Sequence, residues 1–253
     1  MNKEKFRSNI PSCTLGGVSV SSLSRSQTAD LMIDAALGGR PDYPSPYLMA
    51  SVDSRALSSQ AARAAVAAAD AVSTPSRIMT GVSKWFCKAP VPEPCCPVDL
   101  YHDVAKRAPE GLSFFLFGSI QDEIEHAAHT TKELYPQITI SGWSHGYLSK
   151  PDEEQLMERL AELQPDILWI DLSLPKQQQF ISRYRARLGS VRVVKTCSGL
   201  FRSFSSADAP VLLPSPSDDF NQLTSFWRYP LKTAESYLVS GPRNFMQLLA
   251  HSH

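Results

Sequence analysis

Ile167-Leu168-Trp169-Ile170-Asp171-Leu172 is a nearly unbroken apolar run set between Pro165 and Pro175. Such a run reads as a strand buried on both faces, because a half-exposed strand would alternate apolar with polar. Behind it, Phe180, Ile181, Tyr184 and Leu188 recur at helical spacing, in a helix that Pro175 starts. Ahead of it, Leu156, Leu160 and Leu163 form the inner face of another helix. That helix opens with Ser149-Lys150-Pro151-Asp152-Glu153-Glu154, where proline near the first turn and the adjacent acids are start signals.

The same alternation extends outward. Tyr47 to Val52 reads as a strand, followed by an Ala-rich helix from Ser54 to Ala69. Leu112 to Phe117 is an apolar run ending at Gly118, followed by a helical stripe of Ile124, Ala127, Ala128, Thr131 and Leu134. Ile138-Thr139-Ile140 and Val191-Arg192-Val193-Val194 are further short strands. Strands that alternate with helices predict an α/β fold, a Rossmann-like parallel sheet with helices on both faces. Ligands of such sheets bind beyond the carboxyl ends of the strands. That rule selects Ser51 to Asp53, Gly118-Ser119, Asp171 to Gln177, and Thr196 to Gly199. Residues 1–206 are read as this domain. Ala207 to Asp219, rich in Pro, Ser and Asp, reads as a linker, and Phe220 to His253 as a small C-terminal helical appendage. Ala89 to Pro97 holds four prolines and reads as a rigid loop.

The 253 residues carry 25 basic and 25 acidic side chains, so no long-range field draws nucleic acid to the chain. Apolar residues make up 43%, enough for a large core. The cysteines, Cys13, Cys87, Cys95, Cys96 and Cys197, are odd in number and two are adjacent. They read as packing or loop cysteines of a reducing compartment rather than a disulfide framework. No apolar leader follows the charged N-terminus, and no stretch approaches the roughly 18 apolar residues that span a bilayer. The expectation is a cytoplasmic protein whose membrane contact, if any, is peripheral. GxGxxG, Walker A, HExxH and an Asp-x-Asp pair are all absent. His126 and His129, three apart, lie off the apolar face of their helix and read as a solvated surface, so no metal site is expected.

Four stretches resemble one family in order and spacing. Gly142-Trp143-Ser144-His145-Gly146-Tyr147-Leu148 is similar to the G-x-x-H-G-Y-F turn of the WecG/TagA/CpsF glycosyltransferases. Ile167 to Ile170 followed by Leu174-Pro175-Lys176-Gln177-Gln178-Gln179-Phe180-Ile181 resembles that family's strand and S-P-K-Q-E-x-W-I. Arg192-Val193-Val194 through Ser198-Gly199-Leu200-Phe201 resembles V-G-V-G-A-x-F-D. Pro92-Glu93 and Asp99-Leu100 fall where the family has P-E-R-V-x-G-x-D-L.

The resemblance implies an inverting, metal-independent enzyme without a cofactor. It would move a sugar, N-acetylmannosamine or a related hexose, from a UDP-sugar onto a polyprenyl-diphosphate-linked acceptor at the inner membrane face, in bacterial surface polysaccharide (exopolysaccharide) synthesis. Oligomerisation is compatible with it. The chain departs from the family where charge matters. The family's proposed base is an Asp in a P-D-G-x-G loop; here the loop is Ser73-Thr74-Pro75-Ser76-Arg77. Pro94, Gln178 and Arg202 stand where the family has Arg, Glu and Asp. A catalytically inactive relative, binding nucleotide-sugar as a scaffold subunit, is therefore the alternative.

The reaction needs a base for the acceptor hydroxyl and donors for the leaving diphosphate. Asp53, at the mouth of the first strand, is the candidate base; the same carboxylate suits a cap on the Ala-rich helix. Gln177 is the second catalytic candidate, and Lys176 beside it at a helix start would favour an anion. The plain alternative for both is a surface role. Ser198 and Gly199 would offer backbone N–H groups to the nucleotide or form an ordinary turn. His145 is a hydrogen-bonder to the donor or a turn histidine. Ser51, Gly118 and Thr196 complete the rim. In the tail, Phe226-Trp227-Arg228-Tyr229 resembles the family's membrane-docking element, with Arg228 the candidate contact; a helix pair packed on the domain is the alternative.

Overall fold

The computed structural model describes residues 10–38, 46–52, 57 and 60–205. It opens with an antiparallel hairpin, β1 (Ser12–Leu15) and β2 (Val18–Ser21), turned by Gly16-Gly17 at positive φ. Glycine at both central positions is what a tight hairpin turn demands. Helix α1 (Arg25–Leu37) follows, its first turn closed by a capping box between Ser24 and Gln27. Then come β3 (Tyr47–Ser51), α2 (Gln60–Ala67), β4 (Ala71–Ser73), α3 (Arg77–Phe86) and α4 (Pro97–Arg107). The second half alternates regularly: β5 (Ser113–Gly118), α5 (Gln121–Leu134), β6 (Thr139–Ser144), α6 (Lys150–Leu163), β7 (Ile167–Asp171) and α7 (Lys176–Tyr184). A 3-10 turn, β8 (Val193–Cys197) and the short α8 (Arg202–Ser205) complete the described chain.

Six strands form one parallel sheet in the order β4-β3-β8-β7-β5-β6, and the expected α/β architecture is present. Alternate residues of each strand feed two separate cores. Leu48, Ala50, Phe115, Phe117, Leu168, Ile170 and Val194 pack under α2, α3, α6, α7 and the hairpin. Met49, Phe114, Leu116, Ile167, Trp169 and Val193 pack under α1, α4, α5 and α8. Burial of both faces is why these strands lack polar alternation. Strand β6 runs to Ser144, past its expected end at Ile140, so Gly142-Trp143-Ser144 is strand and the turn begins at His145. The linker and appendage read into residues 207–253 lie outside the described residues. Among the described residues no helix is long and apolar enough to cross a membrane.

The cysteine reading is corrected. Cys13 of β1 and Cys87 at the end of α3 are disulfide-bonded, with Cα atoms 5.6 Å apart across 74 residues of sequence. Cys95, Cys96 and Cys197 are thiols. Cysteine usage thus gives no argument for a reducing compartment. Sequence spacing could not show the pairing, because the hairpin and α3 meet only once the sheet is formed.

The amino ends of the strands are closed by carboxylates. Asp166 accepts from the Ser113 N–H (2.8 Å) and pairs with Arg192 (3.0 Å), and Asp70 accepts from the Leu48 N–H (2.9 Å). On the α4 face, His102 is buried with Nδ1 2.7 Å from the Tyr135 hydroxyl, and its Nε2 has no hydrogen-bond partner. Desolvation, aided by Lys106 and opposed by Asp103, lowers its pKa to about 4. Folded His102 is therefore neutral where the unfolded chain already takes a proton. That contribution to stability is complete above pH ~6.5 and declines as pH falls toward ~4, by roughly 3 kcal/mol in all. His102→Gln should remove this part of the acid slope in urea titrations compared between pH 7 and pH 4.5; an unchanged slope would refute the assignment.

Candidate active site

The carboxyl ends of β5, β7 and β8 are joined at Asp171. Its backbone oxygen accepts the Ser119 N–H (3.0 Å), and its carboxylate accepts the N–H groups of Gly199 (2.6 Å) and Phe201 (2.8 Å). Burial pushes the Asp171 pKa up, while the Phe201, Gly199 and Leu200 N–H groups pull it down. Gly118, the last residue of β5, lies at φ +131°, and a Cβ there would sit 2.0 Å from the Asp171 oxygen. Only glycine fits a strand end this close to its neighbour. From β6, the Gly146 N–H donates to the Ser119 oxygen (2.9 Å). The buried Gln177 amide links the loops after β7 and β8, donating to the oxygens of Cys197 (2.7 Å) and Leu172 (3.3 Å).

Neighbouring strands send their connections to opposite faces. The chain leaves β8 toward α8 on one face, whereas β3 is followed by α2 on the other. Such a divergence opens a crevice at the carboxyl rim of a parallel sheet. At the β3–β8 divide lies Lys195, a fully buried lysine of β8. Its Nζ donates to Ser51 Oγ (2.9 Å) and Ser73 Oγ (2.9 Å), at the ends of β3 and β4, and more weakly to the Ala50 oxygen (3.4 Å). Among the described residues no carboxylate pairs with it. Its ionisable neighbours are the Cys95 and Cys197 thiols, whose pKa values burial raises, so both stay neutral. Desolvation lowers the Lys195 pKa. Burying an ammonium without a counter-ion costs several kcal/mol. Buried charges of this kind cluster at functional sites.

The structure places Ser51, Gly118, Gln177, Thr196, Ser198 and Gly199 along one rim, on the adjacent strands β3, β8, β7 and β5 and the turns that follow them. Several of their polar groups are engaged within the fold. The Gly199 N–H is held by Asp171 rather than turned outward, and the Gln177 amide nitrogen is committed to two carbonyls. Thr196 is buried, and Ser198 Oγ donates to the Leu172 oxygen (3.4 Å). His145 Nδ1 accepts the Tyr147 N–H (3.2 Å), a turn contact. Lys176 donates to the Gly146 oxygen (3.0 Å), with Nζ 4.9 Å from the Tyr147 ring centre. Asp53 and Arg228 lie outside the described residues. In the acid-free loop after β4, Ser76 caps α3 through the Met79 N–H (3.3 Å). The proline-rich loop packs over this end, the Cys95 N–H donating to the Thr74 oxygen (2.7 Å). Arg202 is exposed, 3.9 Å from Glu123. His126 and His129 are both exposed, and among the described residues no three His, Cys, Asp or Glu side chains group to hold a metal.

Sequence reading passed over Lys195 and Ser73. The signal was available: a lysine inside a run destined for the middle of a parallel sheet must be buried.

The sequence model of the glycosyl transferase WecG/TagA/CpsF family matches residues 13–211, from β1 through α8. The chain belongs to this family. Curated relatives are similar over shorter stretches. A Bacillus subtilis protein named N-acetylglucosaminyldiphosphoundecaprenol N-acetyl-beta-D-mannosaminyltransferase is 34% identical over 71 residues, 28% of this chain and 27% of that protein. A Bacillus spizizenii protein of the same name is 31% identical over the same length. A Staphylococcus aureus protein of that name is 26% identical over 117 residues, 46% of this chain and 42% of that protein. The chain thus matches less than half the length of these relatives.

The WecG/TagA/CpsF rim depends on Gly118. Gly118→Ala should cost more than about 3 kcal/mol in urea unfolding, through the clash and the positive φ together. Gly81→Ala in α3, where a Cβ meets nothing within 4 Å, should be neutral or stabilise by up to ~1 kcal/mol. Equal effects of the two substitutions would contradict this placement of the β5 end.

Proposed function

We propose that this chain is an inverting glycosyltransferase. It transfers a sugar of the N-acetylmannosamine type from a UDP-sugar to a polyprenyl-diphosphate-linked saccharide, in bacterial surface polysaccharide synthesis. The family match over residues 13–211 carries this reading. The names of the curated relatives support the acceptor and the sugar. The chain would work at the inner face of the membrane as a peripheral protein.

In this reaction the acceptor oxygen attacks the anomeric carbon as the bond to the diphosphate breaks on the opposite side. The acceptor proton passes to a base, and UDP departs. Asp53 is the proposed base, two residues beyond Ser51 at the mouth of β3. A base within reach of the attacking hydroxyl contributes about 10²–10⁴-fold. The leaving diphosphate gathers negative charge, which hydrogen-bond donors and cations at the rim would stabilise. Metal-independent transfer is part of the proposal, and turnover that survives EDTA is its expected signature.

A panel of UDP-sugars assayed on a synthetic lipid-diphosphate acceptor tests the reading. Turnover should appear with at least one N-acetylhexosamine donor. Asp53→Asn should lower it by at least about 100-fold while leaving UDP binding intact. The charges lost at Pro94 and Gln178 and reversed at Arg202 favour a second reading, a binding subunit without catalysis. UDP binding with no turnover across the panel would establish that reading instead, and unaltered turnover in Asp53→Asn would reject the base.

A further inference from the structure

Lys195 is a fully buried amine with no carboxylate partner among the described residues. An ammonium has three hydrogens to donate and no lone pair to accept with. Lys195 Nζ has three oxygens in reach: Ser51 Oγ and Ser73 Oγ at 2.9 Å each, and the Ala50 carbonyl at 3.4 Å. All three can accept, so the set has room for each hydrogen of a protonated amine.

Protonation of Lys195 would fix the direction of the serine protons. With Lys195 donating to both hydroxyl oxygens, each serine must send its own proton elsewhere. Ser73 has an outlet in the Ala50 oxygen at 3.4 Å. Ser51 has within the cluster only Ser73 Oγ, 3.5 Å away, a contact as long and weak as that one. Ser51 is the last residue of β3 and is partly exposed at the rim, whereas Lys195 is fully buried beneath it. The hydroxyl of Ser51 is therefore polarised from below by a cation and left with its proton for an outside acceptor.

We propose that Lys195 is a positioning residue that makes Ser51 an obligate donor to an anionic oxygen of a nucleoside diphosphate at the β3–β8 divide. The inference rests on the UDP-sugar reading above and deepens it by assigning where the diphosphate is recognised. The ligand does not touch the ammonium. The charge acts through one hydroxyl and through its field.

The test is calorimetric titration of the full-length protein with UDP and, separately, with uridine, which lacks the phosphates. The wild type should bind UDP much more tightly than uridine. Lys195→Met, similar in size and uncharged, should reduce that preference at least tenfold, chiefly by weakening UDP. Ser51→Ala should reduce it about fivefold, and Ser51→Thr, which keeps the hydroxyl, should retain it. A merely structural lysine would lower the melting temperature and leave the UDP-to-uridine ratio unchanged; an unchanged ratio in folded Lys195→Met overturns the proposal. Should Lys195→Met fail to fold, the Ser51→Ala and Ser51→Thr pair decides, equal ratios in the two overturning it. A wild type that shows no preference for UDP would sink the donor reading and this inference together. A wild-type preference that all variants keep would sink this inference alone.

Discussion

Asp171 is where the carboxyl rim is tied together. Its carbonyl holds the turn after β5, and its carboxylate holds the turn after β8. The carboxylate is bonded by N–H groups of Gly199 and Phe201, so its charge is spread over donors that cannot leave without breaking the turn. Gly118 and Gly146 are the steric counterpart: each lets backbone come closer to the β7 end than a side chain would permit. The spacing of β5, β7 and β8 at this end, and with it the shape of anything bound there, follows from that one junction.

The two ends of the sheet use charge differently. At the amino ends, Asp166 and Asp70 satisfy backbone donors and pair with arginines, Asp166 with Arg192 and Asp70 with Arg185 at 3.7 Å. Those groups are complete as they stand. At the carboxyl ends, the cation of Lys195 faces hydroxyls and neutral thiols, without a carboxylate among the described residues. Ligands of open parallel sheets bind at the carboxyl ends of the strands.

How much of this was legible in the sequence depended on how local each cause was. The central strands could be read because burial on both faces strips polar residues from Tyr47 to Val52, Leu112 to Phe117 and Ile167 to Leu172. The start of α6 could be read because Ser149, Pro151 and Asp152 act within one turn. The hairpin at Ser12 to Ser21 escaped notice because its strands are four residues each and interleave serine with apolar side chains. Helices α1 and α4 pack chiefly on each other and one sheet face, so their patterns speak only in tertiary context. The engagement of Gln177 and Gly199 was invisible for the same reason: their partners, Cys197 and Asp171, are 20 and 28 residues away. Lys195 was legible in principle, but the strand read from the sequence stops at Val194, three residues short of its end at Cys197.

The proposal sets a ligand seat over the ends of β3 and β8, with Ser51 at its floor and Lys195 beneath. The most direct measurement is a crystal structure of the protein with UDP. The account expects the diphosphate above the β3–β8 divide, with a phosphate oxygen within hydrogen-bond distance of Ser51 Oγ. UDP seated at the amino ends of the strands, or on a surface away from β3 and β8, would contradict it.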